Sequence, residues 1–476
     1  MTAQFPTDVP YTSIATPPAT LPALNASIED NSVPDAITIT RITDYVTAWN
    51  WYPHHEYAKI QPWNADATLY KFYSTAIYDA VTHQLLYEIQ NAGSIYPTYW
   101  SNTNADILYG FMENGDIKTY TVSSQQVNTV GHIYLDEATQ TNYDLVKMGP
   151  GEGNIDKNDH FVAFVGQHGV DMDIIIYNLQ TNTVLYRQTF AGAWGNNASV
   201  PEYVDWVSVS QSGDFVGIMW NHNTTSSANP FNGHYGVEIY NTSDMQFLRR
   251  IADYGNHGDF GYAQNGDEVL VQFWGPTGTV NMYYLDRMER VVLHTTNDFA
   301  GEGHISCRNL NRPGWAYISQ DEPARSGQIL AIKLDNSGLV EHYGHHFSTS
   351  STYKKSPMPV PSPNGDKIMF KSDFGDATTV VVYTFEATKS NASNIEKNTE
   401  SNFLIYPNPV ENTLEINGND KIKNITITNY LGQIVQKTIP LNAQNIQINV
   451  QNLASGTYII NIQSAMKTTR KVFVKR

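Results

Sequence analysis

One strand plan recurs along this chain, and that recurrence restricts the fold more than any other property of the sequence. The stretch from Gly255 to Ser319 carries it twice, as GNHGDFGYAQNGDEVLVQFWG and then GEGHISCRNLNRPGWAYIS. Each copy sets a histidine, His257 or His304, on the approach to a strand. Each continues through a turn, Gln264-Asn265-Gly266-Asp267 or Asn311-Arg312-Pro313-Gly314, into an apolar run. Comparable second strands fall at residues 67–73, 106–111, 160–165, 215–220, 269–273, 315–319 and 367–371. Behind them come strand pairs joined by a polar turn, such as DIIIYNLQTNTVLYRQ and GVEIYNTSDMQFLRRI, which read as β-hairpins.

Four short strands per unit at roughly forty-residue spacing predict a β-propeller. Units begin near Gln61, Tyr96, Asn154, Tyr203, His257, His304 and Met358. The expected fold is therefore all-β: a seven-bladed β-propeller followed by a small C-terminal β-sandwich. No helical period competes with this reading; a pair of β-sandwiches is the alternative. Residues 36–46, AITITRITDYV, can supply a strand to the last blade and close the ring, which removes its free edges. Residues 1–35, rich in Pro, Thr, Ala and Ser, read as an extended lead-in. Residues 36–386 then form the propeller, the polar stretch 387–401 a linker, and 402–476 the sandwich.

Composition narrows the partners. The net charge is −17, which argues against nucleic acid. Residues 401–476 hold eight Lys and Arg against three Asp and Glu, a surplus of five that leaves −22 on the remainder, so the two parts differ in kind. A single cysteine, Cys307, excludes an internal disulfide framework. No window of eighteen apolar residues marks a membrane span. The start, MTAQFPTDVP, shows no basic stretch followed by an apolar core, so no signal peptide is visible. Aromatic residues at 12% and charged residues at 16% suit an extracellular β-rich protein.

The tail carries Tyr406-Pro407-Asn408-Pro409, a Leu431-Gly432 turn with Val435, Leu453-Ala454-Ser455-Gly456-Thr457-Tyr458 and a basic end from Lys471 to Arg476. It resembles the C-terminal sorting domain of the type IX secretion system of Bacteroidota. That resemblance implies engagement with the secretion machinery and a secreted or surface-attached, extracellular product. It carries no information on the activity of the rest.

In a propeller the first strand of each blade lines a central channel, and the residues leading into those strands converge at one end. Here they are His54, His55, Glu56 and Tyr57; Tyr96 and Tyr99; Glu152 and Asn154; Glu202, Tyr203 and Asp205; His257, Asp259 and Tyr262; Glu302, His304 and Arg308; and His345, His346, Tyr353, Lys354 and Lys355. Two chemistries suit such a set. Imidazoles, carboxylates and one thiolate suit a divalent metal (zinc, manganese or calcium), with His304, Cys307, His345 and His346 as candidate ligands. Residues three apart on a strand face opposite ways, however, so His304 and Cys307 share an ion only if the strand bends. Cys307 otherwise reads as a small core residue. The second chemistry is proton abstraction. A cation such as Arg308 or Arg312 neutralises a uronate carboxylate, one His or Tyr removes the C5 proton, and another protonates the leaving oxygen.

The segments from His54 to Asn64, Trp220 to His222, Gly255 to Tyr262, Gly303 to Asn309 and Ser362 to Asp373 resemble those of propeller-fold polysaccharide lyases of the oligogalacturonate and ulvan lyase type. The resemblance implies β-elimination on an extracellular, uronate-containing polysaccharide. Candidate catalytic residues are His257, His304, Arg308, His222 and Tyr262; candidate substrate-binding residues are His54, His55, Tyr57, Asp205 and His346. A non-catalytic propeller that binds glycan or protein is one alternative. A glycoside hydrolase with paired carboxylates from Asp205, Glu152, Glu202 and Glu302 is another. The acidic surroundings weigh against a polyanionic substrate unless a local cation offsets them.

Overall fold

The computed structural model describes residues 20–33, 37–43, 46–47, 54–73, 76–221, 233–274, 279–294, 303–319, 327–350, 352–376, 378, 381–389, 403–418, 421–429, 434–438, 443–464 and 468–476. It divides into two compact units, Met1–Ser390 and Asn391–Arg476. Among the described residues both units are built from strands and short turns, without an α-helix.

In the first unit antiparallel sheets follow one another along the chain, as propeller blades do. Sheet A holds Leu69–Phe72, Ala76–Asp79 and Leu85–Glu88, with Trp63 bridged to Tyr70 in front. Sheet B runs Thr98–Trp100, Ile107–Phe111, Asp116–Thr121 and Gln126–His132. Sheet C runs Leu145–Met148, Phe161–His168, Asp171–Asn178 and Thr183–Phe190. Sheet D runs Val204–Val209, Phe215–Trp220, Val237–Asn241 and Phe247–Ala252. Sheet E runs Gly258–Tyr262, Glu268–Trp274, Thr279–Tyr284 and Arg290–His294. Sheet F runs Ile305–Ser306, Trp315–Ser319, Gln328–Lys333 and Val340–His345. Sheet G starts with Val360–Pro361, Lys367–Ser372 and Val381–Lys389.

The sequence of the middle strands follows from what covers them. A strand with neighbours on both sheet faces reads as a continuous apolar run, because neither face meets water. Ile174 to Tyr177 in sheet C and Val216 to Trp220 in sheet D are such runs, buried at every position. The outermost strand of sheet C, Thr183–Phe190, mixes exposed and covered positions instead. Each apolar cluster of the first unit lies between two consecutive sheets. Val165, Ile174 and Ile176 of sheet C pack on Val207, Ile218 and Trp220 of sheet D. Val271 and Met282 of sheet E pack on Ala316 and Leu330 of sheet F. Met369 of sheet G packs with Trp63, Tyr70 and Phe72 of sheet A, so the last sheet returns to the first.

Polar groups repeat the same connectivity at the first strands. Gln211 Nε2 donates to the carbonyls of Phe260 and Cys307, both at 2.8 Å. Gln61 Nε2 donates to the carbonyls of Arg308 at 2.9 Å and Pro361 at 3.1 Å. Between sheets E and F, Arg308 forms a two-pronged ion pair with Asp259, at 2.9 and 3.0 Å, and donates to the Phe260 carbonyl. Asp259 also accepts the Cys307 N–H at 2.8 Å. Gln211, Asp259, Cys307 and Arg308 are buried, and Gln61 is half-buried.

Sheet G is completed from the far end of the chain. Ile37–Arg41 pairs antiparallel with Val381–Lys389, with Ile37 opposite Lys389 and Arg41 opposite Phe385. Ser27–Asp30 then pairs with Ile37–Arg41. The expected lead-in over 1–35 is therefore corrected at 27–30, which is strand, and sheet G extends past the expected boundary at 386 to Lys389. The physical reason is apolar packing of Ile28 and Val33 under the last two sheets, together with a clasp. Asp30 accepts the His345 backbone N–H at 2.7 Å and its ring Nδ1–H at 2.8 Å, and it accepts the Ser32 hydroxyl. Burial works against the Asp30 carboxylate, but these bonds outweigh it and lower its pKa to about 2.

The second unit is a small sandwich. Phe403–Tyr406, Thr413–Gly418 and Asn445–Asn449 form one sheet; Ile434–Thr438, Ile422–Thr428, Gly456–Ser464 and Thr468–Lys475 form the other. Leu414, Ile416, Ile425, Ile427, Ile460 and Phe473 fill the space between. Alternation along these strands, as at Ile425 and Ile427, puts the apolar side inward. The expected turn at Leu431-Gly432 lies outside the described residues.

Two measurements test these contacts. The Asp30 pKa lies below its unfolded value of about 3.9, so its contribution is complete above that pH and is lost as pH falls toward 2. Asp30→Asn is expected to remove about 2 kcal/mol of stability at neutral pH and progressively less in acid, read from urea unfolding at several pH values. Asp259→Ala strands the buried Arg308 guanidinium and is expected to cost about 3–5 kcal/mol, read from the unfolding midpoint at neutral pH.

Candidate functional site

The first strands of sheets E and F bring the two repeat histidines together. His257 directly precedes Gly258–Tyr262 and His304 directly precedes Ile305–Ser306. Because these strands lie side by side, the two imidazoles stack, with centroids 4.6 Å apart and planes at 27°. His257 donates from Nδ1 to the Gly303 carbonyl at 2.9 Å. A carbonyl oxygen only accepts, so the proton sits on Nδ1 and the lone pair of the neutral ring is on Nε2. Burial, and then the neighbouring His304, hold the His257 pKa below its ordinary value.

Sheet A contributes a turn in which the Ile60 N–H bonds the Tyr57 carbonyl at 2.9 Å. In this turn Tyr57 is half-buried, while Ala58 and Lys59 are buried. The Tyr57 ring meets His304 edge-on at 5.4 Å. The partly exposed ring of Tyr353, on the approach to sheet G, lies 5.6 Å from His304. Burial, then Glu152, Tyr353 and Asp205, raise the Tyr57 phenol well above its ordinary pKa, so it keeps its proton.

Lys59 sits over the Trp206 ring at 4.4 Å and pairs with Glu152 at 2.9 Å. The two carboxylates of this group are pushed apart. Burial raises Glu152, but the Lys59 ammonium overcomes it and the net shift is downward. Burial and the Glu152 charge push Asp205 up to about 6, against an opposing pull from Lys59. The group thus gathers a neutral imidazole, a protonated phenol, one ionised carboxylate and one carboxyl that titrates near 6.

The remaining candidates lie elsewhere. Arg308 stands one layer below, its guanidinium occupied by Asp259. Tyr262 is at the other end of the strand that His257 heads, about 16 Å away at strand rise, with Lys157 over its ring at 4.5 Å. His54 and His55 are buried rather than displayed for substrate. His54 meets Tyr73 edge-on at 4.6 Å, and burial, then Lys371, lower its pKa to about 3. His55 donates from Nε2 to the Met358 carbonyl at 2.6 Å, fastening the approach of sheet A to that of sheet G. His345 ends the fourth strand of sheet F and His346 follows it, three strand spacings (about 14 Å) from the first. His345 holds Asp30, and His346 Nδ1 accepts the Ser348 N–H at 3.0 Å. His222 lies outside the described residues, as does Glu302.

The expected metal set therefore does not assemble. Cys307 is packed in the core between sheets E and F, and burial, then Asp259, raise its thiol pKa well above the ordinary value. Among the described residues no three His, Cys, Asp or Glu side chains are gathered to hold an ion. Lys59 is the participant that sequence reasoning passed over. Its signal was a lysine inside the apolar and aromatic segment from Tyr57 to Trp63, where a buried ammonium needs a partner.

No curated protein matches the chain. Residues 404–476 match the family described as secretion system C-terminal sorting domain. Among solved structures, an oligogalacturonate lyase in complex with manganese aligns with 78% of this chain and 98% of its own, at a TM-score of 0.54 and 11% identity. An oligogalacturonate lyase from Vibrio parahaemolyticus aligns with 76% of this chain and 96% of its own, at 0.46 and 10%. The extracellular domain of the B. thetaiotaomicron hybrid two component system BT4673 aligns with 92% of this chain and 60% of its own, at 0.43 and 12%. At such identities the likeness is one of fold, and the manganese belongs to the protein whose structure contains it. Among the described residues no helix is long and apolar enough to cross a membrane. The chain thus joins an all-β unit, similar in fold to oligogalacturonate lyase, to a type IX secretion sorting domain that directs it to secretion or cell-surface attachment.

Proposed function

We propose that this protein is a secreted polysaccharide lyase that cleaves a uronate-containing glycan by β-elimination, at the mouth of a ring of seven blades. The observation that carries the reading is the stacked His257–His304 pair with the Tyr57 ring against it. His257 is the base. Its Nε2 takes the C5 proton, the C–H electron pair forms the C4=C5 double bond, and the C4–O bond breaks toward the leaving oxygen. Tyr57, which holds its proton, gives it to that oxygen and is reprotonated from solvent. Lys59, with donors to spare beyond Glu152, faces the uronate carboxylate and lowers the barrier to losing the C5 proton.

A second reading has its own support. Glu152 already compensates Lys59 and Asp259 compensates Arg308, which weakens the attraction for a polyanion. The split carboxylates, Asp205 near 6 and Glu152 lowered, are the pattern of a general acid beside an ionised partner, as in glycoside hydrolysis.

The deciding experiment incubates the protein with ulvan, pectin fragments, alginate and glycosaminoglycans while recording ultraviolet absorbance of unsaturated uronate and, in parallel, reducing ends. The lyase reading expects both signals to rise together on one substrate. Reducing ends without absorbance would establish the hydrolase, and neither signal with retained glycan binding would establish a binding module. Under the lyase reading His257→Gln and Tyr57→Phe each lower kcat by about 10²–10⁴-fold while Asp205→Asn leaves the reaction running. The pH profile separates the readings as well. A base with a lowered pKa keeps kcat/KM level through neutral pH, with loss only on the acid side of the ordinary histidine value. An acid catalyst at Asp205 would instead lose about tenfold per pH unit above about 6.

A further inference from the structure

We propose a second ligand site on the first unit, a groove between sheets C and D that takes a neutral sugar. The groove has a volume of about 400 Å³ and lies at the turn ends of the sheets. It is separated from the mouth by the length of Val204–Val209, about 20 Å at strand rise. Its volume is within the roughly 300–1,000 Å³ of small-molecule sites.

Four apolar side chains form the walls: Phe161 and Leu185 from sheet C, Phe215 and Leu248 from sheet D. The floor is Gly213 and Thr242, and Asp214, Asn241 and Ser243 form the rim. Gly213 is needed there. Its φ is +86°, and a Cβ on it would stand 2.9 Å from the Phe161 ring, so only glycine lets that ring lie against the turn. Thr242 is 3% exposed, and its N–H donates to the Asp214 carbonyl at 3.1 Å. Its hydroxyl is buried and has no hydrogen-bond partner among the described residues. A buried hydroxyl left unpaired is destabilising, and in this groove a ligand hydroxyl satisfies it.

The lining specifies the ligand. A pyranose offers an apolar C–H face to aromatic and aliphatic walls, and adjacent hydroxyls that both donate and accept. A carboxylate, an amide and two hydroxyls answer those hydroxyls on the floor and rim. Asp214 is the one charged residue of the lining, so the groove repels a uronate and favours an uncharged sugar. This site is independent of the reaction at the mouth. It suits a polymer in which neutral residues accompany the cleaved ones, because two linked contacts raise the local concentration of chain at the protein.

The test is isothermal titration of the full chain with neutral tetrasaccharides of galactan, mannan, xylan and glucan. At least one is expected to bind, with affinity reduced about tenfold or more in Asp214→Asn and in Thr242→Val, and unchanged in His257→Gln. The melting temperature of the near-isosteric Thr242→Val variant is expected to equal or exceed that of the parent, since it removes an unpaired hydroxyl. The proposal is overturned if no neutral tetrasaccharide binds, if binding survives both groove variants, if it disappears in His257→Gln, or if Thr242→Val melts lower.

Discussion

Everything in the first unit depends on covering both faces of every sheet. A single four-stranded sheet has two faces to hide, and a row of sheets leaves the first and last with one bare face each. Bending the row until Met369 reaches Trp63 and Tyr70 removes both bare faces at once. The uninterrupted apolar runs of the middle strands make sense only in that arrangement, because a sheet with one wet face would alternate. It also fixes where polar chemistry can exist. The space between sheets is dry and apolar, so polar side chains collect where the first strands converge. Deep in that region they must satisfy one another, as Asp259 and Arg308 do. At its end they can meet a ligand.

That division explains what could be read from the sequence. The second strands expected at 215–220 and 315–319 coincide with Phe215–Trp220 and Trp315–Ser319, because a short apolar run between turns has few other uses. The closing strand at 36–46 was legible from its β-branched alternation, and its partner from topology. The additional strand Ser27–Asp30 was not, because its burial rests on a clasp to His345 far along the chain, and no local pattern encodes that.

The site was legible in part for the same reason. His257 and His304 occupy equivalent places in two copies of the repeat, so stacking follows from the repeat itself. Arg308 follows His304 closely in sequence, yet it belongs to the satisfied interior, since the side chain opposite it is a carboxylate. Proximity in sequence could not tell these layers apart. His54 and His55 show the converse: a polar pair that looked available is folded under, with its ring nitrogens bonded to the backbone carbonyls of His55 and Met358. Lys59 was missed because its partner, Glu152, lies two sheets away.

The pairing of Ile37–Arg41 with Val381–Lys389 has a temporal side. The earliest part of this unit to leave the ribosome is completed only by the latest, and until residue 389 is available the flank of sheet G stays open. Contacts that span nearly the whole unit form slowly, since a long loop must close before they are rewarded. The sheets can therefore exist as parts, while the ring that they make waits for the last of its strands.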